Sequence, residues 1–127
     1  MNVDELSRKL KQLKIEDFIW LVYIGIIFMS WYANSLERKY FIYNDLKSRE
    51  SYRKMLILIF SILLIVYLYF LKDSFDDLKN IKPYDTNKKK NLTFLSLIIS
   101  LLIAISGILS LYIAIMDEQI DVELAFN

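Results

Sequence analysis

The stretch "MSWYANSLERKYFIY", residues 29–43, decides how this chain is built. It opens as apolar sequence, runs through Asn34, Ser35 and Leu36 into Glu37, Arg38 and Lys39, and returns at once to Tyr40, Phe41, Ile42 and Tyr43. Either the chain leaves a bilayer here, or it carries three charges into one. Length arithmetic answers this. Residues 18–33 alone would make about 24 Å of helix, short of a hydrocarbon core of about 30 Å. Extending the run to Leu36 brings it to about 28 Å, so Glu37, Arg38 and Lys39 arrive where headgroups belong. Trp20 near one end and Trp31 with Tyr32 near the other fit an aromatic belt, and Arg38 and Lys39 fit the charged edge beyond it. The three charges mark a membrane exit.

Working outward, residues 18–36, 55–71 and 91–116 contain no Asp, Glu, Lys or Arg, and together they make up about half of the 127 residues. A soluble helix of this length needs a polar face, so the runs fit hydrocarbon and not water. The expectation is a single all-α membrane domain with three transmembrane helices, preceded by a short amphipathic helix. The boundaries are 2–14 for the amphipathic helix, 18–36, 55–71 and 92–116 for the spans, and 117–127 for an acidic tail. The leader holds Asp4, Glu5, Glu16 and Asp17, and only Ala33-Asn34-Ser35 resembles a cleavage site. The first run therefore reads as a retained span and not as a signal peptide.

In residues 2–14, Val3, Leu6, Leu10 and Leu13 form one narrow apolar stripe, with Arg8, Lys9, Lys11 and Lys14 around it. This predicts a helix lying on the membrane surface or against a partner. The absence of Gly and Pro between Ala33 and Ser51 predicts that the first span continues about two turns past the bilayer. A turn near 44–48 follows, with Ser48 as N-cap of the second helix. Tyr52 precedes the second span, and Tyr67 and Tyr69 lie near its far end as interface anchors. Leu71, Phe75 and Leu78 carry the second helix outward to about Asn80, before Pro83, the chain's single proline, starts a loop.

The third span, about 37 Å long, must tilt or project. Its composition differs from that of the others, because Ser96, Ser100, Ala104, Gly107 and Ala114 define a small-residue face. In lipid, small residues let backbones approach closely, so this face is the expected helix-packing surface.

Chemistry is sparse. With no His and no Cys, disulfides, thiolate catalysis and the commonest metal ligand are excluded. The net charge of +1 supplies no bulk attraction to nucleic acid. Ionisable groups are missing from the span centres, where ion-coupled transporters place them. Asp73, Asp76 and Asp77 share a helix face and suggest at most a weak divalent-cation site; a solvated acidic face is the simpler reading, and the acidic tail invites the same two. Ser100, Ser106 and Ser110 read as helix-packing serines and not as nucleophiles. Gly25 and Gly107 are isolated, and no phosphate loop or metal-ligand spacing is present. No catalytic residue, cofactor or metal is expected.

Lysine and arginine counts set orientation. With three spans, the N-terminal segment and the 72–91 loop share ten such residues, while the 37–54 loop and the tail have six, all in the loop. This places the N-terminus inside and the C-terminus outside. The same topology puts one basic and one acidic segment on each side, so the tail (Asp117, Glu118, Asp121, Glu123) is expected to fold toward the 37–54 hairpin. The richness in Ile, Lys and Asn suggests an AT-rich, bacterial genome, and the three spans suggest a multi-pass cell-membrane location. The leading function is a small structural or accessory membrane protein whose partners are the bilayer and itself or a larger membrane protein. The alternatives are a small oligomeric pore or holin-like permeabiliser, and a membrane immunity-type protein that shields against a toxin.

Overall fold

In the computed structural model, which describes residues 2–116, three helices follow one another: α1 (Val3–Tyr43), α2 (Leu46–Lys79) and α3 (Asn87–Met116). No strand occurs among the described residues. The acidic tail, with the fold-back expected of it, lies outside them. Two helices, α2 and α3, are long and apolar enough to cross a membrane. They contain the uncharged runs 55–71 and 92–116. The third run, 18–36, lies within α1, where Trp20, Tyr23, Ser30, Trp31, Tyr32, Asn34 and Ser35 dilute its aliphatic residues.

Continuity is the main departure from expectation. Residues 2–14 do not form a separate surface helix. They are the opening turns of α1, which runs unbroken for 41 residues, about 60 Å. No Gly or Pro occurs before Gly25, so nothing in the sequence breaks the backbone at Glu16 and Asp17. Asn2 caps the start, its Oδ1 accepting from the Glu5 amide at 2.7 Å, and Asp4 and Glu5 sit in the positive first turn. The buried residues of α1, Ile19, Ile26 and Ala33, recur every seven residues on one face.

The chain divides into two compact units, one ending at Tyr52 and the other starting at Arg53. In the first, α1 closes on Asn44, whose φ of 52° is left-handed and suits a helix C-cap. Asp45 then caps α2. Its carboxylate accepts from the Lys47 amide at 3.1 Å and from the Ser48 hydroxyl at 2.9 Å. Ser48, the expected N-cap, is instead a buried donor to that cap. Asp45 is the better choice because it sits at the first non-helical position with a charge that the helix N-terminus favours.

The second unit is the hairpin that α2 makes with α3 from Arg53 onward. α2 ends at Lys79, as the Leu71, Phe75 and Leu78 spacing predicts. Asp85 braces the loop through the Lys82 amide at 2.8 Å, and Thr86 caps α3 by accepting from the Lys89 amide at 3.2 Å.

Candidate functional site

A close helix contact lies inside the α2–α3 hairpin. The positions of α3 that are not exposed are Lys90, Thr93, Leu97, Ser100, Ala104, Gly107, Ser110, Leu111 and Ala114, and all of them but Ser110 alternate in steps of three and four. Such a seam keeps one face of a helix toward its neighbour. Ala104, Gly107 and Ala114 are buried and Ser100 is half-buried. Ser96 is exposed. Two successive steps of four, from Ser96 to Ser100 to Ala104, rotate it off the seam, because each overshoots a 3.6-residue turn by about 40°. Ser96 instead lines a shallow cleft of about 400 Å³ with Asp77, Thr86, Lys88, Lys89, Leu92 and Thr93.

Gly107 is a point of close approach. A Cβ there would stand 2.9 Å from Cδ2 of Tyr67 and 3.4 Å from Cδ1 of Leu64. Two polar ties bracket this point. Toward the loop, Ser74 and Ser100 share a 2.7 Å hydrogen bond between hydroxyls. At the other end, Arg53 donates from Nε to the Ala114 carbonyl at 3.4 Å and from Nη2 to the Ile115 carbonyl. The last turn of α3 has no basic residue, so Arg53 brings the cation that its negative end favours from 61 residues away. No buried side-chain nitrogen or oxygen among the described residues lacks a partner.

The membrane-interface candidates separate by environment. Trp20, Trp31 and Tyr32 are exposed, and Trp31 and Tyr32 line an outer groove of α1 with Phe28 and Ser35. Arg38 and Lys39 are also exposed, with Lys39 4.0 Å from the Asp45 carboxylate. Tyr67 is half-buried against the Gly107 position. Tyr69 is half-buried, its ring edge-on to Phe70 at 5.7 Å. Tyr52, expected at the headgroups, is 6% exposed. Burial raises its hydroxyl pKa above the ordinary 10.0, and the Glu37 carboxylate that it hydrogen-bonds raises it further. Arg49 stands over the Tyr40 ring at 5.7 Å. The α1–α2 turn is thus tied from both helices.

Asp73, Asp76 and Asp77 do not come together as a metal-holding group. Among the described residues, no group of three or more carboxylate, imidazole or thiol side chains is placed to hold a metal ion. Sequence reasoning missed Arg53 and Asp45 as organising residues. For Asp45 a signal exists, the Asn-Asp pair followed by Ser48; Arg53 has none, since its partners are backbone carbonyls remote in sequence. Comparison of the chain with protein-family models, with curated proteins and with solved structures finds no match.

Proposed function

We propose that this chain is a small, non-catalytic integral membrane protein that crosses the cell membrane three times, at 18–36, 55–71 and 92–116, with its N-terminus inside. It works through helix packing as a structural or accessory subunit of a membrane assembly. The observation that carries this reading is the α2–α3 seam. Its backbone approach at Gly107 is closed by Tyr67 and Leu64, and its serines at 74 and 100 bond each other. A pore built on α3 needs a line of serines turned to a lumen; Ser100 bonds Ser74 inside the hairpin, which breaks that line between the exposed Ser96 and Ser106.

Reconstitution tests the choice. Purified protein in liposomes is expected to give no stepwise conductance and no release of entrapped dye. In mild detergent it is expected to run as an assembly larger than one chain, and Gly107→Leu is expected to loosen the α2–α3 hairpin from which that assembly is built. Discrete conductance steps would overturn the accessory role in favour of a pore.

A further inference from the structure

We infer that the projecting end of α1 is a docking surface for an acidic amphipathic helix of another membrane protein. The inference rests on the reading of α1 as a span. Val3, Leu6, Leu10 and Leu13 follow a three-four-three spacing, the seam of a coiled coil. They are 81%, 49%, 57% and 55% exposed. On a free surface helix, lipid would cover such a stripe. The unbroken α1 changes this, because its direction is set by the 18–36 run. From Phe18 back to Val3 the helix rises about 22 Å, and the headgroup layer beyond the core is only about 5–8 Å thick. Most of the stripe therefore stands in water, beyond the reach of acyl chains.

Charge selects the occupant. In heptad register the flanking positions are Ser7, Lys9, Lys14 and Glu16; Lys9 and Lys14, one on each side of the seam, are exposed, while Glu16 is half-buried at the end next to the 18–36 run. A second copy of this chain, parallel in the same membrane, would set Lys9 against the partner's Lys14 on both sides of the seam, like charge on like. A helix with apolar seam residues and Glu or Asp flanks meets both lysines with opposite charge. The seam spans only two heptads, so the contact is weak in solution. Anchoring both helices in one membrane supplies the effective concentration that it needs.

The test uses the full chain in phosphatidylcholine nanodiscs, labelled through Ser7→Cys. The probe is a lipid-anchored heptad peptide with Leu at the seam and Glu at the flanks; a Lys-flanked peptide is the control. Energy transfer to the Glu peptide is expected to exceed that to the Lys peptide by at least tenfold. Lys9→Glu with Lys14→Glu should reverse the preference, and Leu6→Ser with Leu10→Ser should abolish transfer while leaving helicity unchanged. Equal transfer to both peptides, or none, would overturn the inference. So would transfer between copies of the protein, which gives the face to self-association. Shielding of Leu10→Cys from a water-soluble maleimide only when phosphatidylglycerol is added gives it to lipid and also overturns the docking. Proteoliposome labelling separates this from the span reading. If Asn2→Cys and Asn44→Cys react from the same side, α1 does not cross, and both readings fall together. If they react from opposite sides and the Glu peptide is ignored, docking alone falls.

Discussion

Gly107 sits where a single methyl group is already too much, with the Tyr67 ring 2.9 Å from the position a Cβ would take. The ring is held near its base and cannot swing away as a long flexible chain can. Gly107→Ala should therefore shift Tyr67, and Gly107→Leu should force the helices apart, lowering stability by about 1–3 kcal/mol. Thermal unfolding in detergent checks this; unchanged melting for Gly107→Leu would show that the contact yields freely. Gly25, by contrast, has open space where its Cβ would be. Gly25→Ala should be neutral or slightly stabilising, since Ala is the better helix former. Arg53 is the other decisive residue. Removing its guanidinium leaves the carbonyls of Ala114 and Ile115 without that donor. Arg53→Ala is expected to lower hairpin stability by about 1 kcal/mol. Arg53→Lys should restore part of the loss, because the charge near the helix end remains while the planar fork does not. Equal melting of all three proteins would refute the cap.

For the helices as elements, the serine tie gives a sharper experiment than either residue alone. Ser74→Ala or Ser100→Ala strands the other hydroxyl inside the hairpin, whereas replacing both removes donor and acceptor together. The single variants should each be destabilised, and the double variant should recover. The coupling expected from a membrane helix pair is about 0.6 kcal/mol, and a strictly additive double variant would show that the hydroxyls do not interact. The α1–α2 turn adds a pH dependence. The Ser48 hydroxyl, followed by the Lys47 amide and Lys39, holds the Asp45 carboxyl below its ordinary 3.8. A carboxyl depressed on folding stabilises the folded state above that ordinary value and loses the contribution as pH falls through the lowered one. The turn should thus be intact at neutral pH and loosen only below about pH 4. Protection of the Lys47 and Ser48 amides, relative to their intrinsic exchange rates, should fall there, and Asp45→Ala should lack that protection at neutral pH as well.

Across the whole molecule, the question is how many times the chain crosses the bilayer. Two helices qualify on length and apolarity, and α1 carries a third uncharged run diluted by aromatic and polar residues. Three crossings put Asn2 and Asn44 on opposite faces, and two put them on the same face. Cysteines at these positions, labelled with an impermeant maleimide in intact and then opened cells, are expected to react one before and one after opening. The positive-inside bias requires the protected position to be Asn2. An Asn2 cysteine that labels in intact cells would reverse the orientation.

The sequence by itself determined the apolar runs and that helices carry them, though not that residues 2–14 and 18–36 share one unbroken helix. Charge-free stretches of this length have few solutions outside lipid, Pro83 cannot continue a helix, and the spacing of Leu71, Phe75 and Leu78 carried α2 to its observed end. It also pointed to the part of α3 that approaches α2 closely at Gly107, because small residues in an otherwise bulky run are conspicuous. Only the tertiary structure decided which of them lie on the seam. Thr93, Leu97 and Leu111 belong to it and Ser96 does not, since the 3.5-residue seam is a property of two helices together. It likewise decided that Tyr52 points inward to Glu37, and that Arg53 caps a helix 61 residues away. A side chain's partner across helices is set by their relative rotation and depth. No local spacing encodes those two quantities, whereas helix formation and apolar length are written residue by residue along the chain.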